Sequence, residues 1–175
     1  MKTQELRLAG SGGQGVILAS VILADAAVIA GKNAAQSQSY GPEARGGSCK
    51  AECIISEESI GFTKVQNPTF LMALTQKSLD QYTVGLPKEC IVLADSSLTL
   101  PESIRENTVH TLPILKTAKE TVGKAFTANI VAVGAINKLL SLVSDENLSE
   151  AVMLHIPRGT EEINLKALDA GKALV

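Results

Sequence analysis

Two stretches and one isolated amide hold the residues best suited to bind a charged ligand or a partner surface. Gly10-Ser11-Gly12-Gly13-Gln14-Gly15 has the spacing G-x-G-x-x-G. Glycines at those positions allow a tight turn and bring backbone N–H groups close to a phosphate or a second backbone, at the start of a helix whose dipole favours an anion. Tyr40-Gly41-Pro42-Glu43-Ala44-Arg45-Gly46-Gly47 is the second stretch. Pro42 and the glycines fix its shape, and loops on a rigid scaffold are where functional groups are often displayed. Arg45 offers a planar, permanently charged fork for phosphate or carboxylate, with an ion pair to Glu43 as the bland alternative. Asn129 stands near the start of an apolar segment, as a ligand-facing amide or a helix cap.

Other chemistries lack their residues. Cys49 and Cys53 are spaced C-x-x-x-C, without the C-x-x-C run of a cluster site. On a strand they share one face and read as small buried residues. Three cysteines form no disulfide framework. His110 and His155 are remote in sequence from cysteines and paired carboxylates, and no Ser-His-Asp order stands out. A dinucleotide site wants an acid about 20 residues after its glycines, at the end of the second strand. That strand ends Gln36-Ser37-Gln38-Ser39-Tyr40, with no carboxylate and no arginine. The glycine loop therefore reads either as a turn that packs a helix on a sheet, or as a loop that meets a partner or a partner-held ligand.

The elements that position these residues follow from periodicity. Glu5–Ala9 reads as a strand running into the glycines. Val16–Ala30 reads as a helix apolar on nearly every face, so buried on more than one side, with Gly31 as its left-handed cap. Ala34–Tyr40 has the period of a strand, but neither face is greasy. Its grouped Gln36, Gln38 and Tyr40 suit a wet interface between subunits. Cys49–Ile55 alternates as a half-buried strand. Thr69–Leu74 and Cys90–Ala94 read as central strands, Thr75–Tyr82 as a helix, Thr108–Leu112 as a weaker strand, and Ala128–Leu142 as a second strong helix. Gly134 allows close helix packing. Ser144 and Thr160 cap two further helices, and Gly171 ends the last. Strands alternating with helices predict an α/β layered, Rossmann-like domain with a largely parallel or mixed central sheet, as one domain over residues 1–175.

Composition narrows the class. The chain has 175 residues, 45% of them hydrophobic, enough to bury a core without disulfides or metals. A net charge of -2 and 3% aromatic content argue against nucleic acid and base-stacking platforms. The longest apolar stretch, Val16–Ala30, falls short of the roughly 20 apolar residues of a membrane span. A cytoplasmic, reduced protein is expected.

Motif order adds a family. Leu8-Ala9-Gly10-Ser11-Gly12-Gly13-Gln14-Gly15-Val16 is followed by Gln38-Ser39-Tyr40-Gly41-Pro42-Glu43-Ala44-Arg45-Gly46-Gly47. Later come Asn129-Ile130-Val131-Ala132-Val133-Gly134-Ala135 and Asn164-Leu165-Lys166-Ala167-Leu168. In this order and spacing the chain resembles the gamma subunits of 2-oxoacid:ferredoxin oxidoreductases. The likeness runs from about Leu6 to Gly171, and S-Y-G-P-E-x-R-G-G is its most specific part.

The resemblance implies an accessory subunit of a complex that decarboxylates a 2-oxoacid, 2-oxoglutarate favoured, to an acyl-coenzyme A and reduces ferredoxin. This chain has no Gly-Asp-Gly start to a thiamine-diphosphate motif. Thiamine diphosphate, magnesium and iron–sulfur clusters are thus expected in partner subunits, and none on this chain alone. The expected partners are alpha and beta subunits, with a ferredoxin-like delta subunit as a further candidate. Coenzyme A is the expected co-substrate, and no catalytic residue is assigned here. A free-standing nucleotide-binding protein using Gly10–Gly15 is the competing reading.

Overall fold

The strands come in two kinds, and their composition separates them. β4 (Phe70–Ala73) and β5 (Ile91–Asp95) are short apolar runs buried on both faces, as the middle of a parallel sheet requires. β1 (Gln4–Ser11) alternates, sending Leu6 and Leu8 into one core while Arg7 points the other way. β2 (Asn33–Tyr40) is polar on both faces and lies at an edge of the sheet. The computed structural model describes residues 3–40 and 48–175.

The sheet order is β2-β3-β1-β4-β5-β6, with β3 at Ser48–Ser56 and β6 at Val109–Leu112. β1, β4, β5 and β6 are parallel. β3 runs antiparallel between β1 and β2, so the sheet is mixed and the fold is α/β. Placing β3 beside β1 departs from a dinucleotide fold, in which the second strand lies next to the first.

One face is covered by α1 (Val16–Ile29) and α4 (Ala128–Leu140), backed by α5 (Asp145–His155) and α6 (Glu161–Lys172). The larger core lies there and includes Leu23, Cys53, Phe70 and Ile136. The other face is covered over β4 and β5 by α2 (Gln76–Tyr82) and a 3-10 turn at Glu102–Ile104, around Ala73, Leu79, Val92 and Ile104. Between β6 and α4 the chain makes a short helix, α3 (Ile114–Lys116), a π-helical turn Thr117–Val122 and a 3-10 turn Ala125–Thr127.

Several expectations change. β3 is buried on both faces over most of its length rather than half-buried: Glu52 and Ile54, on the side away from α1, are 4% and 0% exposed. Gly171 does not end α6, which continues to Lys172 and is followed by Ala173. Instead Gly171 and Gly134 let α6 and α4 touch backbone to backbone: a Cβ on Gly171 would sit 1.9 Å from Val131 O, and one on Gly134 would sit 2.2 Å from Leu168 O. Gly31 does follow α1 with φ of 78°, and the Ser144 hydroxyl accepts from Asn147 N–H. Thr160 stands at the start of α6, but its hydroxyl donates to Pro157 O instead of capping. No helix among the described residues is long and apolar enough to cross a membrane.

Candidate functional site

The glycine loop joins the end of β1 to the start of α1, at the carboxyl edge of the parallel strands. α1 follows β1 onto one face and α2 follows β4 onto the other. The crevice between β1 and β4 is therefore the switch point at which open α/β sheets take their ligands. Gly13 and Gly15 have φ of 94° and 72°, which a residue with a Cβ adopts only with strain. Gln14 folds back over the loop. Its Oε1 accepts from Ser11 N–H at 2.8 Å, and its Nε2 donates to Leu74 O at 3.4 Å across the crevice. A Cβ at Gly10 would lie 2.5 Å from that Oε1, which accounts for the first glycine. The Ser78 hydroxyl, from α2, donates to Gly10 O. Gly12 and Gly13 remain exposed at the tip.

Asn129 belongs to this site through space. It sits in the first turn of α4, and a Cβ on Gly15 would lie 2.7 Å from its Nδ2. The N-terminal ends of α1 and α4 thus meet, and neither has a side-chain cap or an acidic residue in its first turn. α5, by contrast, has the Ser144 cap with Asp145 and Glu146, and α6 has Glu161 and Glu162. Two uncapped helix ends together make a local concentration of donors and positive potential. The cap expectation for Asn129 fails, since its side chain makes no capping bond. Other buried amides are paired: Asn137 with Val143 N–H and C=O, and Asn164 with Thr160. Asn129 is 5% exposed and makes no side-chain hydrogen bond among the described residues. The buried side-chain atom left without a partner among them is Ser48 Oγ, on β3 opposite Ser11.

Tyr40 closes β2 opposite Cys49, while Gly10 pairs with Cys49 and Ser11 with Ser48 on the other side of β3. The backbone of Tyr40 therefore ends at the same sheet edge as the glycine loop. Gly41, Pro42, Glu43, Arg45, Gly46 and Gly47, together with the proposed Glu43–Arg45 pair, lie outside the described residues.

The remaining polar groups are structural. Asp95, 2% exposed at the end of β5, accepts from Ser97 and from Leu115 N–H, and so fixes the turn into α3. Cys49, Cys53 and Cys90 are buried free thiols, and burial pushes Cys53 and Cys90 up to about 12. His155, isolated in sequence, lies 2.5 Å from Asp25 of α1. No cluster of metal-ligating side chains occurs among the described residues.

Sequence reasoning missed two features. The Gln14 tie depends on where β4 ends. The buried Glu52, which holds Arg7 at 2.8 Å and Lys50 at 3.0 Å, joins two strands. Only the charged residues on otherwise apolar strands hinted at that ion pair.

Comparison with known proteins places this geometry. Residues 5–174 match the family described as pyruvate ferredoxin/flavodoxin oxidoreductase. The chain is 43% identical to 2-oxoglutarate synthase subunit KorC of Methanocaldococcus jannaschii, over 96% of this chain and 91% of that protein. It is 43% identical to the keto/oxoacid ferredoxin oxidoreductase gamma subunit of Geobacter sulfurreducens, with a TM-score of 0.84, covering 96% and 95% of the two chains. It also superposes with a TM-score of 0.91 on 31% of the 2-oxoglutarate:ferredoxin oxidoreductase of Magnetococcus marinus; at 24% identity that likeness concerns the fold. The glycine-loop edge is thus set in a chain that belongs to the pyruvate ferredoxin/flavodoxin oxidoreductase family, as a subunit of a 2-oxoacid:ferredoxin oxidoreductase.

Proposed function

We propose that residues 1–175 form the gamma domain of a complex that converts 2-oxoglutarate to succinyl-coenzyme A with reduction of ferredoxin. This chain supplies a binding edge, not the redox chemistry. The carrying observation is the meeting of two helix ends without side-chain caps at Gly15 and Asn129, on the sheet edge that also holds the buried, unpartnered Ser48 Oγ opposite Ser11. Such an edge suits an anionic group, either the phosphates of coenzyme A or a ligand held mainly by a companion chain. Gly12, Gly13 and Gly15 offer backbone donors, and Arg45, five residues after Tyr40 in sequence, is the cation proposed for the same ligand. Alpha and beta subunits hold thiamine diphosphate and magnesium. Iron–sulfur clusters lie in the companion chains, with a ferredoxin-like delta subunit as a further partner and ferredoxin as acceptor. The relative from Methanocaldococcus jannaschii supports 2-oxoglutarate by its name, and the protein from Magnetococcus marinus is described with 2-oxoglutarate, coenzyme A and succinyl-CoA bound. The complex works in the cytoplasm.

The test is reconstitution with companion subunits and comparison of kcat/KM for 2-oxoglutarate, pyruvate and 2-oxoisovalerate. A pocket built for a distal carboxylate rejects analogues lacking it by about 10⁴. Preference for pyruvate or 2-oxoisovalerate would overturn the substrate. The chain alone should show no turnover with 2-oxoacid, coenzyme A, thiamine diphosphate and an accepting dye. A free-standing nucleotide-binding role is disfavoured because β3, not β2, flanks β1, and β2 carries no ribose-binding acid. A micromolar dissociation constant for NAD(H) would revive it.

A further inference from the structure

Among the described residues, β2 leaves one edge of the sheet open. Its eight residues, Asn33–Tyr40, include no charge and no proline, and it packs on β3 and α1. Long free edges are usually blunted by lysine, proline, a bulge or a cover, because their unpaired N–H and C=O groups template pairing with another chain. The opposite edge, β6, is only four residues long. β2 thus has the length and composition of a strand meant to be paired.

The face beside this edge, away from α1, has its own chemistry. Register places Ser37 beside Glu52 and Arg7, and Ser39 beside Lys50 and Ala9. Glu52 is 4% exposed and receives both cations on one oxygen. The Tyr82 ring centre lies 5.7 Å from the Arg7 guanidinium and 6.0 Å from the Lys50 ammonium. Glu5, the other acid on this side of β1, is committed to the N–H groups of Gln66 and Asn67. Two cations therefore share one carboxylate. The spare protons of Lys50 and the Nη1 group of Arg7 have no acceptor among the described residues. The small side chains Ala35, Ser37 and Ser39 allow another main chain to approach closely.

We infer that the β2 edge and the Ser37–Ser39–Lys50 face form a docking surface for a companion chain of the same complex. That chain lays an extended segment along β2 and sets a carboxylate against Lys50 and Arg7. Strand addition of this kind draws affinity from main-chain hydrogen bonds and specificity from side-chain chemistry. A second copy of this chain would bring the same surplus of positive charge, with no free carboxylate on the matching face. The inference rests on the subunit reading and extends it to one surface, away from the α1–α4 meeting point.

The experiment co-expresses the chain with its companion subunits and compares wild type, Ser37→Lys and Lys50→Gln. Ser37→Lys should lower recovery of companion chains about tenfold or more, while the isolated chain melts within about 2 °C of wild type. Lys50→Gln should weaken assembly several-fold at low salt and flatten its salt dependence. If Ser37→Lys fails to fold, Ser39→Lys, at an exposed position, replaces it. Assembly of both variants like wild type overturns the docking surface and leaves the subunit reading intact. Failure of the wild-type chain to assemble removes both. Self-association of the isolated chain that Ser37→Lys abolishes makes the occupant a second copy and overturns the companion-chain assignment.

Discussion

Gly171→Ala sets helix propensity against packing, and the structure decides the sign. Gly171 lies within α6, where alanine is up to about 1 kcal/mol better than glycine, so helix propensity by itself would favour the substitution. Yet the added Cβ would sit 1.9 Å from Val131 O and 2.8 Å from Val131 C, against ordinary contact from 3.4 Å outward. Both atoms are backbone, so no rotamer change relieves the overlap. α4 and α6 must separate by roughly 1.5 Å, loosening the contacts along their crossing. Overpacking of this kind costs about 3 kcal/mol at the upper end of the usual range. After the propensity gain, a net loss of about 2 kcal/mol remains. For a chain of this size that lowers the melting temperature by roughly 4–8 °C. Gly134→Ala should behave alike, and the double variant should lose less than the sum, because the first substitution has already parted the helices. Thermal and urea unfolding followed by circular dichroism give the values. A melting temperature equal to or above wild type for either single variant would refute the close crossing.

Three other outcomes follow from particular contacts. Glu52→Gln leaves Arg7 and Lys50 without their shared carboxylate and should cost about 1–3 kcal/mol, discounted from a fully buried pair because both cations are partly exposed; a urea midpoint unchanged from wild type would show the pair to be unimportant. Gly15→Ala should destabilise by about 2–3 kcal/mol, from its left-handed backbone and its overlap with Asn129, and Asn129→Ala should relieve part of that loss in a double-mutant cycle; strict additivity would place the two residues apart. Burial holds the Cys53 and Cys90 thiols protonated up to about 12, against 9.0 for an ordinary thiol. Between those values the unfolded chain releases protons that the folded chain keeps, so stability should fall as pH rises from about 9 toward 12. A thiol reagent at pH 8 should label neither cysteine until the chain is unfolded, and rapid labelling of the native protein would contradict their burial.

Much of the fold was legible in local pattern. The apolar runs of β4 and β5, the all-round apolar α1 and the cap at Ser144 depend on neighbours a few residues away, which sequence order preserves. The family was legible for a related reason, since the glycine loop and the S-Y-G-P-E-x-R-G-G stretch are contiguous strings. The polar alternation of β2 was visible too and suggested an interface between subunits, but its place at the sheet edge was not, because an edge is defined by the strand that is missing beside it.

What only the tertiary structure decided is which distant groups share a volume. Asn129 reads as a cap until α4 is packed with its first turn against Gly15, more than a hundred residues upstream. Gly171 reads as a terminator until α6 lies on Val131. Glu52 falls on the polar side of an alternating strand until Arg7 and Lys50 close on it. In each case local propensity is worth about 1 kcal/mol or less, whereas a backbone clash, a close packing contact or a buried charge is worth up to several times that. The long-range contact therefore outweighed the local preference wherever the two disagreed.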